Sequence, residues 1–387
     1  MRPSTIYMDH SATTRVDERV VEAMVPYFTE QYGNPSSLYF LGQKAHQAVE
    51  GARRMVAGIL NCTPREVIFT ASGTESDNLG IRGVAFAREE QGKHLVTTPI
   101  EHSAVLDTMR QLEQEWGFEV TIVPVDEYGM VQVEEIERAL RPDTTLVSVM
   151  YANNEVGTVQ PIEEIGALLK EHPALFHVDA VQAGGYLPLD VERLGVDLMA
   201  LSGHKFHAPK GVGIMYARRG VPYLAMLTGG GQEASRRPGT QNVPYIVGIA
   251  KALEIAHTER ERKNARLVEM RDRLIEGVLA GVPTARLTGH PAERLPGHAS
   301  FTMGEGLEAD AMLLALDMEG IAASSGSACS SGRNEPSHVL TAMGIPYREA
   351  LSALRLSLGD DNRMEEVKYV VEKLPEVMER LRAFAAV

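Results

Sequence analysis

Short apolar segments alternate with longer helix-like segments over roughly the first 200 residues of this 387-residue chain, and this alternation limits the possible fold more than any other feature. Short, continuously apolar strands that alternate with helices are typical of a mostly parallel sheet covered on both faces. The pattern therefore predicts an open α/β domain. The predicted strands are residues 66–70, 94–98, 119–123, 145–152, 174–179, 197–202 and 211–217, and the predicted helices are residues 75–90, 103–116, 133–140 and 162–172.

The pattern changes after residue 242. Residues 243–281 form a nearly unbroken helical segment, long enough to bridge two domains. The remainder mixes strand-like segments at 298–303 and 354–358 with helical ones, which indicates an α+β unit. We predict a large domain over residues 16–257 and a small domain formed by residues 258–387 together with residues 1–15.

Charge and composition exclude several classes of function. The formal net charge of −14 argues against a nucleic-acid partner, because phosphate backbones need clustered cations. No apolar stretch approaches the roughly 18–20 residues of a membrane span, and the amino-terminal MRPSTIYMDHSATT has no signal-peptide core. The two cysteines, Cys62 and Cys329, form no CxxC pair, which argues against a disulfide framework and a cysteine zinc site. We expect a cytoplasmic protein without a metal or a membrane partner.

Polar residues follow the predicted strands where ligands bind in open α/β sheets, beyond the carboxyl ends. Gly73 and Thr74 follow the strand at 66–70 and stand where a helix begins, so they could form a phosphate cradle. Thr74 could equally be an ordinary helix cap, with Asp77 at the third position after it. Taken alone, this segment favours the cap.

Two further strands end in residues that can carry chemistry. Asp179 and Gln182 follow the strand at 174–179, and Ser202, His204 and Lys205 follow the strand at 197–202. A phosphate cradle, an acid and a lysine are the parts that a pyridoxal phosphate site requires. The lysine would bind the cofactor covalently, and the acid would keep the pyridine nitrogen protonated. We therefore expect a pyridoxal phosphate site at this edge of the sheet.

Nine motifs occur in order along nearly the whole chain. They are DHSATT, GNPSS, TESDNLGIRG, TPIEHSAVLDT, NNEVGTVQPI, HVDAVQ, SGHKFHAPKG, RRPGTQN and SGSACSSGRNEPSHVL. Together they resemble the cysteine desulfurases of the class V aminotransferase superfamily. The resemblance implies a cofactor domain of the aspartate-aminotransferase type with a smaller α+β domain. It also implies a transferase that converts L-cysteine to L-alanine and stores the sulfur as a cysteine persulfide.

The resemblance assigns roles to individual residues. It implies that Lys205 binds the cofactor, that His102 stacks on the ring and moves protons, and that Cys329 accepts the sulfur. The other cofactor-binding residues that it implies are Gly73, Thr74, Asn154, Asp179, Gln182, Ser202, His204 and Thr240. Thr240 would reach the phosphate of a neighbouring subunit, which implies a homodimer. Two positions depart from the common family pattern, Ala208 in place of glycine and Pro238 in place of serine, and neither removes a functional group.

The surroundings of the two cysteines differ. Seven of the thirteen residues in SSGSACSSGRNEP are serine or glycine, so we expect the Cys329 thiol to be exposed and able to act as a nucleophile. The long SGRNEPS continuation resembles the desulfurase group that passes sulfur to an iron–sulfur scaffold protein, although other acceptors, such as those for tRNA or cofactor synthesis, stay open. Cys62, at the end of a helix, is interpreted as structural.

Some interpretations stay open at this stage. Arg355 interrupts an apolar strand, so it needs an anionic partner, either a substrate carboxylate, which we favour, or an inter-domain salt bridge. A selenocysteine lyase or an aminotransferase on the same fold is the alternative activity, and a catalytically silent scaffold is the alternative from another class. His10, Asn34 and His207 have no assigned role.

Overall fold

The computed structural model describes residues 5–326 and 335–385. Its strands are β1 (Ile6–Tyr7), β2 (Val67–Thr70), β3 (His94–Thr97), β4 (Glu119–Ile122), β5 (Thr144–Ser148), β6 (Leu175–Asp179), β7 (Leu198–Ser202), β8 (Gly213–Ala217), β9 (Arg286–Leu287), β10 (His298–Thr302), β11 (Ile321–Ala322) and β12 (Ala353–Ser357). Its helices are α1 (Glu18–Met24), α2 (Pro26–Thr29), α3 (Phe40–Leu60), α4 (Gly73–Ala87), α5 (Ser103–Trp116), α6 (Val133–Ala139), α7 (Ile162–Leu169), α8 (Val191–Leu194), α9 (Val243–Gly281), α10 (Ala309–Met318), α11 (His338–Ala342), α12 (Tyr347–Ala350) and α13 (Met364–Ala385).

The larger sheet has seven strands in the order β2-β8-β7-β6-β5-β3-β4. Only β8 runs antiparallel to its neighbours β2 and β7, and the other pairs are parallel. Every residue of β2, β3, β5, β7 and β8 is buried, as expected for a sheet with helices on both faces. The predicted α/β fold class is confirmed.

A second, smaller core lies around an antiparallel sheet of order β12-β10-β9. The amino-terminal segment joins this core, since β1 pairs in parallel with β11 and Met8 is fully buried there. Helix α9 contacts both cores, through residues such as Ile249 in the larger one and Leu274 in the smaller one. The boundary at residue 257 stays a prediction.

Several boundaries differ from the sequence predictions, among them the start of α4 and the end of β5. Helix α4 begins at Gly73 because the Ser72 hydroxyl caps it by accepting from the Glu75 N–H at 3.1 Å. Thr74, which the sequence offered as the alternative cap, lies inside the first turn instead. Strand β5 ends at Ser148, and the next residues leave the ladder, although the Tyr151 N–H still donates to the Asp179 carbonyl at 2.8 Å. None of the described helices is both long and apolar enough to cross a membrane.

Candidate active site

Asp179 lies at the centre of the residues that follow the parallel strands. It is the last residue of β6 and is 5% exposed, and one carboxylate oxygen accepts from the Val181 N–H at 2.9 Å. Burial raises the pKa of this carboxyl group, while the nearby side chains of His102 and Lys205 lower it. The sheet therefore presents a buried acid whose charged form is opposed by burial and favoured by the side chains of His102 and Lys205.

Lys205 ends the short 3₁₀ turn Gly203–Lys205 directly after β7. Its ammonium group donates to the carbonyls of Ser11 and Ala12 at 2.6 and 2.9 Å. The Gln182 side-chain amide also donates to the Ser11 carbonyl, at 3.0 Å. The amino-terminal segment thus forms one wall around the lysine. Ser11 could not be selected from the sequence, because its contribution comes from a backbone carbonyl.

The amino end of α4 packs tightly against the ends of β6 and β7. A Cβ built on Gly73 would lie 2.6 Å from Cγ2 of Val181 and 3.2 Å from Cβ of Ser202. Glycine is therefore the residue that lets the first helical turn approach these strands. Thr74 is exposed and Ser202 is buried at the same place. Unpaired amides of a helix start beside two hydroxyls can bind a phosphate group.

The two predicted histidines hold defined positions. His102 caps α5, because its Nδ1 accepts from the Ala104 N–H at 3.1 Å, which leaves Nε2 to carry the proton of a neutral ring. His204 lies with its Nδ1 3.2 Å from the Thr13 hydroxyl. Burial, together with Lys205 and Lys210, lowers the pKa of His204 to about 4. His204 is therefore neutral at pH 7 and can still donate one hydrogen bond.

A group of buried ionisable residues that the sequence analysis did not select lies behind Asp179. Asp77 and Glu101 are fully buried, and each interacts electrostatically with Asp179. Burial raises the pKa of Glu101 to about 8 and that of Asp77 well above its ordinary range. His177 lies 3.5 Å from Asp77, and burial lowers its pKa to about 3. Both acids stand inside quoted motifs, but only burial distinguishes them from capping residues.

Arg355 has an anionic partner within the chain. It is 2% exposed, and its guanidinium group contacts the Asp9 carboxylate at 2.7 Å and the carbonyls of Asn154 and Gly326 at 2.8 and 3.1 Å. The ion pair with Asp9 therefore satisfies the requirement for a counter-ion. It is a salt bridge, as in the alternative stated from the sequence, but both residues lie in segments that were predicted to belong to the small domain. Nε of Arg355 is buried and has no hydrogen-bond partner among the described residues.

The remaining candidates lie elsewhere or outside the described residues. Cys329 falls in the segment 327–334, which the structure does not describe. Cys62 packs partly buried against the larger core, and burial raises its pKa to about 12, so its thiol is a poor nucleophile at neutral pH. Thr240 is exposed on this chain. Three other positions were left open. His10 is buried, and neither of its ring nitrogens has a hydrogen-bond partner among the described residues. Asn34 accepts from the Ser36 N–H in an exposed turn, and Nδ1 of His207 contacts the Arg15 carbonyl.

These residues fit pyridoxal phosphate. The buried Asp179 carboxylate, whose pKa is raised by burial, gains from a cationic ring N–H placed against it. Lys205 lies near enough to that carboxylate to lower its pKa, as a lysine joined to the same cofactor requires. The close packing at Gly73 leaves the helix amides facing the same edge of the sheet.

Comparisons with known proteins agree with this geometry. The family described as Aminotransferase class-V matches residues 6–370. The chain is 52% identical over 377 residues to the cysteine desulfurase IscS of Methanosarcina thermophila, covering 97% of this chain and 93% of that protein. It is 47% identical over 379 residues to the cysteine desulfurase IscS of Clostridium botulinum, covering 97% and 95%.

Solved structures give the same result. A structure titled NifS-like protein superposes with a TM-score of 0.91 at 42% identity, covering 97% of this chain and 99% of that one. A structure titled SspA in complex with cysteine superposes with a TM-score of 0.81 at 36% identity, covering 92% and 99%. The predicted family is confirmed: the chain belongs to the class-V aminotransferases, among their pyridoxal phosphate-dependent cysteine desulfurases.

Proposed function

We propose that this chain converts L-cysteine to L-alanine and transfers the sulfur to its own Cys329, in a site formed by Lys205, Asp179 and His102. The observation that carries the proposal is the buried carboxylate of Asp179, whose pKa is lowered by both His102 and Lys205 against the effect of burial. Such a carboxylate can hold a heterocyclic cation beside a lysine amine. The nucleophilic role of Cys329 is supported by its sequence surroundings and by the family.

The chain's own residues divide the work. When bound, pyridoxal phosphate withdraws electrons from the α-carbon of the substrate. Asp179 would stabilise the positive charge on the cofactor ring that makes this withdrawal effective. The Lys205 amine, positioned by the Ser11 and Ala12 carbonyls, can take the α-proton and return a proton to the product. His102, fixed at the start of α5, can relay protons at its Nε2.

The sulfur transfer balances without an added oxidant. The Cys329 thiolate attacks the substrate sulfur, an S–S bond forms, and the bond between that sulfur and the substrate β-carbon breaks. L-Cysteine and a thiol thus give L-alanine and a persulfide on Cys329. The thiolate is required because the neutral thiol is a weak nucleophile. A reductant or an acceptor protein then removes the outer sulfur.

Arg355 is the proposed contact for the substrate carboxylate. It is buried and has one nitrogen without a hydrogen-bond partner among the described residues. Asp9 contacts a different nitrogen, Nη2, of the same guanidinium group. A substrate carboxylate would therefore bind beside Asp9 rather than replace it, and Asn154, whose carbonyl contacts Arg355, would lie next to it.

A homodimer, a cytoplasmic location and an iron–sulfur scaffold protein as sulfur acceptor complete the proposal. Thr240 is exposed here, as a residue that acts on a neighbouring subunit would be. Large apolar side chains near the amino terminus are also more than half exposed, which is typical of a protein–protein interface. They are Phe28, Tyr32, Leu38, Tyr39 and Phe40. Light scattering of the purified protein tests the dimer directly, and a monomeric mass would contradict it.

The central test follows both products. The pure protein, loaded with pyridoxal phosphate, is incubated with L-cysteine and a reductant, and alanine and sulfide are measured. Without reductant, the peptide that contains Cys329 should gain the mass of one sulfur atom. The Cys329→Ser variant should release almost no alanine, whereas Cys62→Ser should behave as wild type. Alanine formation by Cys329→Ser at the wild-type rate would exclude the persulfide mechanism and favour a lyase or an aminotransferase.

A further inference from the structure

The two ends of the segment that carries Cys329 meet at one carboxylate oxygen. Oε2 of Glu155 accepts from the Ser337 hydroxyl at 2.5 Å, on the carboxyl-terminal side of the segment. A Cβ built on Gly326, on the amino-terminal side, would lie 3.1 Å from the same Oε2. Glu155 is 5% exposed, so water does not compete for these contacts. Gly326 and Ser337, which lie on the two sides of the segment, thus both pack against the Glu155 carboxylate.

The backbone of Glu155 is held by contacts on both sides, to the segment before α5 and to β10 of the smaller sheet. Its N–H donates to the Asn153 side chain at 2.8 Å, and the Asn153 amide donates to the Ile100 carbonyl at 2.9 Å. The Glu155 carbonyl accepts from the His298 ring at 3.0 Å. The carboxylate therefore has a defined position relative to the loop that carries His102.

Each end of the segment has a second support. On one side, Arg355 donates to the Gly326 carbonyl at 3.1 Å, and Gly326 has a φ of +91°, a conformation that favours glycine. On the other side, Ser337 caps α11, and the ring of His338 contacts the Glu101 carbonyl at 3.1 Å. The Glu155 carboxylate lies against Gly326 on one side and accepts from Ser337 on the other.

We propose that Glu155 is a positioning residue for sulfur transfer: its carboxylate fixes the base of the Cys329 segment so that the thiol can reach the substrate sulfur. The inference rests on the proposed function of Cys329. Cys329 is the third residue after Gly326, and three residue steps span at most about 11 Å, so the position of Gly326 limits where the thiol can act. Glu155 takes no part in the removal of the α-proton.

The experiment separates these two steps. Exchange of the α-proton of L-alanine with deuterated water reports the cofactor, Lys205 and Asp179, since it needs no thiol. Alanine formation from L-cysteine reports the complete reaction. Glu155→Ala should lower kcat for alanine formation at least about tenfold, because a displacement of about 1 Å at a reacting group costs up to about a hundredfold. Proton exchange and cofactor content should stay within about twofold of wild type.

Variants of the contact and of the surface provide the controls. Glu155→Gln keeps an oxygen that can accept from Ser337 and should recover most of the rate. Ser337→Ala should also slow alanine formation. The double variant with Glu155→Ala should be no slower than the slower single variant, because the two substitutions remove the same contact. Glu164→Ala, which removes an exposed glutamate from α7, should have no effect.

Two results would overturn the proposal. One is an unchanged kcat for alanine formation in Glu155→Ala. The other is a parallel fall of proton exchange and alanine formation, which would mean that Glu155 supports the whole site. Failure of the proposed function is recognised separately, because wild type and Cys329→Ser would then form alanine at equal rates whatever residue stands at position 155.

Discussion

Asp179→Asn isolates the charge of the buried carboxylate. The oxygen that accepts from the Val181 N–H is retained in asparagine, so the local turn after β6 should persist. The substitution removes the negative charge that would pair with the cofactor nitrogen, and this charge belongs to a side chain that is 5% exposed. Removal of one partner of a buried ion pair costs about 3–5 kcal/mol. Since about 1.4 kcal/mol corresponds to a tenfold change in rate, alanine formation should slow by roughly 10²–10⁴-fold.

The assay is kcat for alanine formation at saturating L-cysteine, with the amount of bound cofactor measured by its visible absorbance. Asp197→Asn is the matched control. Asp197 is a half-buried acid just before β7, at the opposite edge of the sheet, where it accepts from the Phe176 N–H at 2.9 Å and pairs with Arg218 at 3.2 Å. Its variant should lose stability but keep its turnover. A loss below tenfold in fully loaded Asp179→Asn, or an equal loss in Asp197→Asn, would refute the assigned role.

Three further variants test the cradle, a buried ion pair and a buried acid. The methyl group of Gly73→Ala would lie 2.6 Å from Val181, so this variant should lower the free energy of unfolding by about 1–3 kcal/mol and weaken cofactor binding in titrations. Gly58→Ala, which has open space around its Cβ, should do neither. Arg53 pairs with the buried Glu233 at 2.7 Å, and Arg53→Met leaves that carboxylate without its cation. Urea unfolding should therefore show a free energy of unfolding lower by about 3–5 kcal/mol, and a decrease below about 1 kcal/mol would contradict this. Burial raises the pKa of Glu101 from 4.5 to about 8, so the folded state binds the extra proton and loses stability as pH rises through that window. Glu101→Gln should therefore gain stability relative to wild type as the pH rises from about 5 to about 8, and a stability difference that stays constant over this range would contradict the raised pKa.

The alternation of short apolar strands with helices predicted the larger sheet well, because burial on both faces leaves a continuous apolar signal in each strand. Helix α9 was predicted with its observed bounds, 243–281, because its one proline, Pro244, lies in the first turn, where a helix tolerates it, and the rest of the segment is rich in helix-forming residues. The order of the strands could not be read from the sequence. It depends on crossover connections, and β8 returns between β2 and β7 by an antiparallel pairing that no local pattern encodes.

The site was predictable where a side chain follows a strand end, as for Asp179 and Lys205. It was not predictable where the backbone supplies the contact, as for the Ser11 carbonyl, or where two distant segments meet. Asp9 and Arg355 are 346 residues apart, and the ion pair between them exists because β1 and β12 belong to the smaller domain. Glu155 stands inside a quoted motif, yet only the tertiary structure places it against Ser337.

The buried acids around the site explain why Asp179 can serve a cationic cofactor. Three carboxyl groups, those of Asp77, Glu101 and Asp179, interact in a region without solvent, and three negative charges there would repel one another strongly. Burial raises the pKa of all three, to about 8 for Glu101, so Glu101 is protonated at neutral pH. Among the three, only Asp179 has the side chains of His102 and Lys205 near enough to oppose this shift. Asp179 is therefore the carboxyl group whose charged form the neighbouring side chains favour, and that charge would match one positive charge on the cofactor ring.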